Sequence, residues 1–364
     1  MKKKCVAMML IAIMTASLAG CGSSKDGSGK SVKLDSDHPV SLTIWHYYNG
    51  AQQAMFDTLV KEFNASVGKE EGIYVESYSQ GSVSDLEEAV NSSLNGEVGA
   101  EELPDIFSYY SDTAYAVQQQ DKLADLSVYF TEDELSRYVD SYIQEGYFNQ
   151  DGALYLFPVA KSTEITMINK TDWEPFAEAT GTTVEELATT EGITEVAQRY
   201  YEWTDEQTPD VPDDGKAFYG RDSMSNYFII GMKQMGKEIF QVKDGKMTLN
   251  TDEDLIRRLW DNYYVPYMKG YFASLGKFRS DDVKTGDILA YTGSTSSAVY
   301  FPDTVEKGNK SYPIDYIVCD SPVMEGGENI QVQPGPGMAV TKSDEAHEYA
   351  ASVLLQSLPT TTQN

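Results

Sequence analysis

Four ring side chains in a row, Trp45, His46, Tyr47 and Tyr48, stand where the alternating, β-branched stretch from Val40 to Trp45 gives way to a helical one. Their chemistry is contact, not turnover. An aromatic face packs on the C–H face of a sugar ring, and hydroxyls and amides nearby meet the sugar's hydroxyl groups. Two more junctions have the same character: Tyr78, Gln80 and Ser82 close the stretch that starts at Ile73, and Tyr109, Tyr110, Ser111 and Asp112 close "DIFSYY". A single tyrosine fits a core or a rim equally well, because buried aromatics dominate cores. Recurrence at successive junctions is what points to a neutral polyol surface, with Trp45, Tyr47, Tyr78, Tyr110, Ser111 and Asp112 as its contacts.

Other chemistries are poorly supplied. A glycoside hydrolase needs two carboxyls about 5–9.5 Å apart across a cleft, and Glu87-Glu88, Glu101-Glu102 and Asp281-Asp282 are adjacent acidic pairs. With 57 Asp and Glu in the chain such pairs arise by chance, and most fall in helices or turns that read as solvated faces. "GSTSSA" has no G-x-S-x-G elbow around it. His38, His46 and His347 are far apart, no Cys/His pair has ligand spacing, and "DVPDDG" lacks the order of a calcium loop. No metal or cofactor is expected. Cys319 is left without a disulfide partner and reads as a small core residue.

The elements that must position these residues alternate. After Val40 to Trp45, the segment Ala51 to Phe63 carries Ala54, Met55, Leu59, Val60 and Phe63 on one helical face. A strand from Ile73 to Tyr78, a helix from about Val83 to Leu94, the strand "DIFSYY" and a helix from Ala114 to about Gln119 follow. Repeated βα units predict an α/β fold built on a mainly parallel sheet, with ligands met beyond the carboxyl ends of its strands.

Length and charge bound the partners. The 364 residues suffice for two lobes, since single cores stop growing at about 250–300 residues. A formal charge of -29, with no Lys/Arg stripe to reverse it locally, argues against nucleic acid. "MKKKCVAMMLIAIMTASLAGCGSSK" has the basic start and apolar middle of an export leader, and its apolar stretch, Cys5 to Leu18, is too short to span a bilayer comfortably. Its "LAGC" resembles the lipobox of bacterial lipoproteins. That resemblance implies a signal peptide over residues 1–20, lipidation (diacylglycerol, palmitate) at Cys21, a flexible tether over 21–39, and anchoring to the outer face of the cytoplasmic membrane.

"LTIWHYYNG…FDTLVKEFN", "LPDIFSYY", "KLADLS", "TMINKTDW", "KDGKMTLNTDEDLIRRLWD", "KTGDILAYTGSTSS" and "GPGMAVTKSDEAHEYAASVLL" stand in the order seen in extracellular solute-binding lipoproteins of bacterial carbohydrate ABC importers. The chain resembles that family over nearly all of its length after the tether. The resemblance implies a two-lobed, periplasmic-binding-protein-like α/β fold with a hinge and an interlobe cleft. It places lobe 1 at 40–127 and 331–364, lobe 2 at 128–330, and crossings near Ser127 to Thr131 and Gly326 to Val332. It implies a monomer whose partners are a sugar or polyol and the transmembrane subunits of a permease.

Within that family the glycerol-3-phosphate-binding branch looks similar. Carried over by position, ligand contacts fall on Tyr78, on Ser162 or Thr163 in "FPVAKSTE", on Ser294 or Ser297, and on Gly335 in "PGPG". The chain departs from the branch by having Ser111 beside Asp112 after its third strand, and "GRDSMSNY", with Asp222, where the branch has tryptophans. A phosphate wants Arg, Lys or a helix N-terminus, and Lys161 and Arg221 are the only basic candidates. A neutral saccharide is therefore preferred to glycerol-3-phosphate or a glycerophosphodiester. "SDEAHEYAASVLLQ" reads as a helix capped by Ser343 and stopped at Pro359. Family members continue from there into helices of the second lobe, so a missing layer in lobe 2 is expected.

Overall fold

The computed structural model describes residues 29–149, 151–243 and 246–358. The expected signal peptide, Cys21 and the segment after Leu358 lie outside the described residues. The strands are β1 (Val40–His46), β2 (Ile73–Ser79), β3 (Ile106–Tyr109), β4 (Phe157–Pro158), β5 (Glu164–Asn169), β6 (Tyr219–Arg221), β7 (Phe240–Lys243), β8 (Lys246–Leu249), β9 (Ala290–Ser294), β10 (Thr304–Lys307), β11 (Lys310–Pro313), β12 (Tyr316–Asp320) and β13 (Gly337–Val340). The chain divides into two compact units. Unit 1 ends at Ala160 and resumes at Pro336, and unit 2 is Lys161–Gly335.

Unit 1 holds a sheet of order β2-β1-β3-β13-β4. β1 runs parallel to β2 and β3, and β13 runs antiparallel to β3 and β4. Alternation along β1 sends Leu42 and Ile44 to one face and Trp45 to the other. On the first face the helix Gly50–Ala65 buries Phe56, Val60 and Phe63, and the helix Glu345–Ser357 buries Ala350, Ala351, Leu354 and Leu355. On the second, the helix Val83–Asn95 lays Leu86 and Val90 over Trp45 and Phe107. Burying a Leu or Phe side chain stabilises by roughly 1.5–3 kcal/mol. Ser82 and Asp85 form a capping box at the start of Val83–Asn95, and Gly96 ends it in the left-handed conformation, so local sequence fixes its limits.

Three expectations need correction in unit 1. Residues 128–160 belong here rather than to the second lobe: Tyr129, Phe130, Tyr138, Ile143, Leu154 and Phe157 join the core of Leu42 and Ile44, and β4 pairs with β13. The crossings therefore lie at 160–161 and 335–336, not at the expected positions. The tether is shorter than 21–39, because the Lys30 amide donates to the Val128 carbonyl (2.8 Å), Lys30 pairs with Glu345, and Leu34 packs on the core. Gly29 allows this approach, since a Cβ there would stand 2.6 Å from the Tyr129 carbonyl oxygen. Finally, the last helix is capped by Asp344, not Ser343: its carboxylate accepts from the amides of Ala346 and His347.

Unit 2 holds a sheet of order β12-β5-β9-β6, with β9 antiparallel to β5 and parallel to β6, and two hairpins, β7-β8 and β10-β11. One face is covered by the helices Lys170–Thr180 and Thr190–Asp205, which bury Trp173, Phe176, Ile193, Val196 and Tyr200 around Phe218 and Tyr219. Cys319 is half-buried against this cluster, and burial pushes its thiol pKa up.

Candidate functional site

In unit 1 the parallel run of β1, β2 and β3 brings their carboxyl ends to one edge of the sheet. Because β13 runs the other way, its first residue, Gly337, sits opposite Tyr109 at that same edge, with Pro158 on its other side. Tyr47 and Tyr110 lead out of neighbouring strands, and their rings stack at 6.4 Å between centroids and 11° between planes. Burial, with the Tyr110 hydroxyl as the next cause, pushes the Tyr47 pKa far up, so this hydroxyl stays a neutral donor and acceptor. Ser111 begins the helix Ser111–Gln118 and donates to Glu145 Oε1 at 3.4 Å. Asp112, in the same first turn, is exposed and accepts from the Thr113 amide. Tyr78 is 47% exposed on the edge strand β2 and its hydroxyl donates to Glu76.

Two of the four opening rings are structural. Trp45 is only 5% exposed, under Leu86, Val90 and Phe107, and is not available as a stacking surface. Helices cover both faces of this sheet, so the outward position of the alternation is as buried as the inward one. His46 is fully buried, stacked on Tyr48 at 5.1 Å and edge-on to Phe56 at 4.9 Å. Its Nδ1 accepts from the Tyr48 amide (3.2 Å), which puts the proton of the neutral ring on Nε2, a buried nitrogen with no hydrogen-bond partner among the described residues. Burial lowers its pKa, opposed by Asp57.

In unit 2 the carboxyl ends of β6 and β9 and the start of β5 share an edge: Glu164 pairs in register with Ser294, and Arg221 with Thr292. Asp222 follows β6 and is half-exposed; its Oδ1 accepts from the Arg279 amide at 3.2 Å. Burial raises the Asp222 pKa, with Arg279 opposing. A Cβ on Gly293 would stand 3.0 Å from Asp222 Oδ2 and 3.3 Å from Ser297 Oγ, so these two groups converge over a residue without a side chain. Ser297 donates to the Ser294 carbonyl (2.6 Å), and Ser294 Oγ lies 2.9 Å from Ser296 Oγ. Asp222, Ser294 and Ser297 are thus gathered by the fold.

Thr163 reaches the same edge, where its carbonyl accepts from the Thr295 amide (2.8 Å) and its amide donates to Thr295 Oγ1 (3.3 Å), while Ser162, Thr163 and Gly335 together lie on the two segments that lead to the crossings and join them. Ser162 donates to the Pro334 carbonyl, Thr163 Oγ1 to the Val332 carbonyl (3.0 Å), and Lys161 Nζ to the Gly335 carbonyl (2.8 Å).

The residues missed by sequence reasoning are the partners of these groups. Arg221 is paired with Glu164, their side chains 5% and 3% exposed, and Asn226 donates to the other Glu164 oxygen at 3.0 Å. Arg279 pairs with buried Asp282 at 2.6 Å. Arg221 also lines a cavity of about 10 Å³ with Thr190, Tyr219, Tyr227 and Tyr263, about the volume of one water. The available signal was one charge at an end of each short strand, Glu164 at the start of β5 and Arg221 at the end of β6, which has to be paired if buried.

Residues 58–364 match the family described as bacterial extracellular solute-binding protein. The chain belongs to that family. Solved structures share the fold of this solute-binding protein at low identity. The cyclic alpha-maltosyl-1,6-maltose binding protein from Arthrobacter globiformis is 19% identical, with a TM-score of 0.64 over 87% of this chain and 74% of its own. The galacto-N-biose-/lacto-N-biose I-binding protein of an ABC transporter from Bifidobacterium longum is 15% identical, with a TM-score of 0.66 over 90% and 75%. UgpB from Mycobacterium tuberculosis, solved with glycerophosphocholine, is 17% identical, with a TM-score of 0.65 over 88% and 74%. No curated protein sequence matches the chain.

Proposed function

We propose that this solute-binding protein captures a neutral mono- or oligosaccharide at strand-end residues and passes it to the transmembrane subunits of an ABC permease, as a monomer tethered through a lipid on Cys21. The observation that carries the preference for a neutral ligand is that both basic candidates are engaged. Arg221 is paired with Glu164, so its guanidinium charge is already met by a carboxylate, and Lys161 gives one of its three donors to the Gly335 carbonyl. Tyr47, Tyr110, Ser111, Asp222, Ser294 and Ser297 offer the rings, hydroxyls and single carboxylate that suit a polyol. Two of the neighbouring structures carry saccharides in their names. The glycerophosphodiester reading, suggested by UgpB, would need its phosphate to displace Glu164 from Arg221 or to share Lys161 with the Gly335 carbonyl.

Capture without catalysis agrees with how the acidic pairs are used. Asp282 is held by Arg279 and by the amides of Leu275 and Gly276, Asp281 caps a helix through the Phe278 amide, and Glu87 and Glu88 lie exposed on a helix. Without a reaction to perform, differential affinity is sufficient: ligand populates the conformations that bond it best. Calorimetric titration with a panel of neutral saccharides and with glycerol-3-phosphate tests the proposal. Heat with at least one saccharide and none with the phosphate is expected; heat with the phosphate alone overturns it. For the anchor, Cys21→Ala should lose labelling by a fatty-acid analogue, and a labelled variant would remove that part.

A further inference from the structure

Glu164 and Arg221 flank the end of β9 from opposite sides: Glu164 pairs in register with Ser294, and Arg221 with Thr292 one strand over. Their side chains meet across that strand, shielded almost completely from solvent. The guanidinium lies over the Tyr227 ring at 5.6 Å, and Asn226 fixes the second carboxylate oxygen. A guanidinium held rigidly at a strand end has the fork geometry that takes carboxylate or phosphate. In this chain its anion position is filled from within. Stability is a weak reason for the arrangement, since a buried ion pair is often no better than apolar residues of the same volume. Ser294, the register neighbour of Glu164, is half-exposed beside Ser297 and Asp222, so the pair sits immediately behind the proposed ligand contacts.

We propose that Glu164 is a specificity-determining residue: it occupies the anion position of Arg221 and thereby closes the strand-end edge of unit 2 to phosphate- and carboxylate-bearing ligands. The inference rests on the reading that this edge meets the ligand. It goes beyond that reading by naming the group that excludes anions and by requiring a latent anion site beneath it.

The test uses the full chain with Glu164→Ala, which vacates the carboxylate's space, and Glu164→Ser, which also vacates it but stays polar at this buried position, if the first variant does not fold. Inorganic phosphate and formate are the probes, with chloride at matched ionic strength as control, read by calorimetry and by thermal unfolding. The expected result is phosphate or formate binding at least about tenfold tighter than in the wild type, a gain that disappears when Arg221→Met is added. A folded variant that binds phosphate and formate no better than the wild type overturns the proposal, as does a gain that survives Arg221→Met. The same saccharide panel separates the two levels. A wild type that binds no saccharide while Glu164→Ala gains phosphate defeats the proposed function and leaves the latent site standing. A wild type that binds saccharide while neither variant gains an anion defeats only the role of Glu164.

Discussion

At the strand ends of unit 1 the side chains that come together are Tyr47, Tyr110 and Ser111, backed by a buried Trp45 and His46. At those of unit 2 they are Glu164 with Arg221, Asp222 with Arg279, and the serines after β9. The first edge is neutral because it contains few charges. In the second the deeply buried charges are matched, Glu164 with Arg221 and Asp282 with Arg279, and half-exposed Asp222 is left as the surplus carboxylate. An edge of rings tolerates loss of one ring with a local loss of contact. An edge of buried pairs does not tolerate loss of one partner, because the other is left as an uncompensated charge.

That contrast can be broken most forcefully at Arg221. Arg221→Met should destabilise the protein by about 3–5 kcal/mol, the usual cost of orphaning a buried charge. A denaturant midpoint unchanged at constant slope would show that Glu164 was never dependent on it. Trp45→Ala should cost a similar or slightly smaller amount, about 3–5 kcal/mol as for other large core deletions. The measurement distinguishes a core residue from a contact, because a ligand-facing ring would lose affinity while leaving stability nearly intact.

Smaller effects are expected at the ring pair. Tyr47→Ala and Tyr110→Ala should each weaken saccharide binding by roughly 0.5–1.5 kcal/mol beyond lost area, with a smaller loss of stability than Trp45→Ala because both rings are only partly buried against that core. Titration calorimetry that finds equal affinities would remove the pair from the site.

The smallest effect concerns pH. His46 has its folded pKa lowered below the ordinary 6.5 by burial, so the folded state binds fewer protons than the unfolded chain. Stability should fall as pH drops below 6.5 toward the folded value, and be flat above it as far as this group is concerned. Replacement by Gln should flatten that part of the profile. An unaltered slope would assign it to other groups.

Much of unit 1 was legible in the sequence because local rules agree there. The alternation in Val40–His46 and the helical spacing of Gly50–Ala65 each fix an element without reference to the rest of the chain, but the helix face was misplaced: Phe56 is buried with Val60 and Phe63, whereas Ala54 and Met55 are exposed. The side a strand residue faces was not legible for Trp45, since period two distinguishes inside from outside only when one face is wet. The position of the first crossing was hidden for another reason. "ALYLFPV" is apolar enough for either unit, and its assignment depends on β4 pairing with β13, almost 180 residues away. The pairing of Glu164 with Arg221 spans 57 residues and leaves only an isolated charge as its trace at each site. Asp222, Ser294 and Ser297 were reached through family resemblance, and the fold gathers them because β6 and β9 run parallel side by side.

The central claim is that these strand ends hold a neutral saccharide. Thermal unfolding of the full chain, with each saccharide of the panel and with glycerol-3-phosphate, tests it most directly. A saccharide at 100 times its Kd should stabilise the chain by about 2.7 kcal/mol and glycerol-3-phosphate should leave the transition where it was. Stabilisation by glycerol-3-phosphate, with every neutral saccharide inert, would contradict the account.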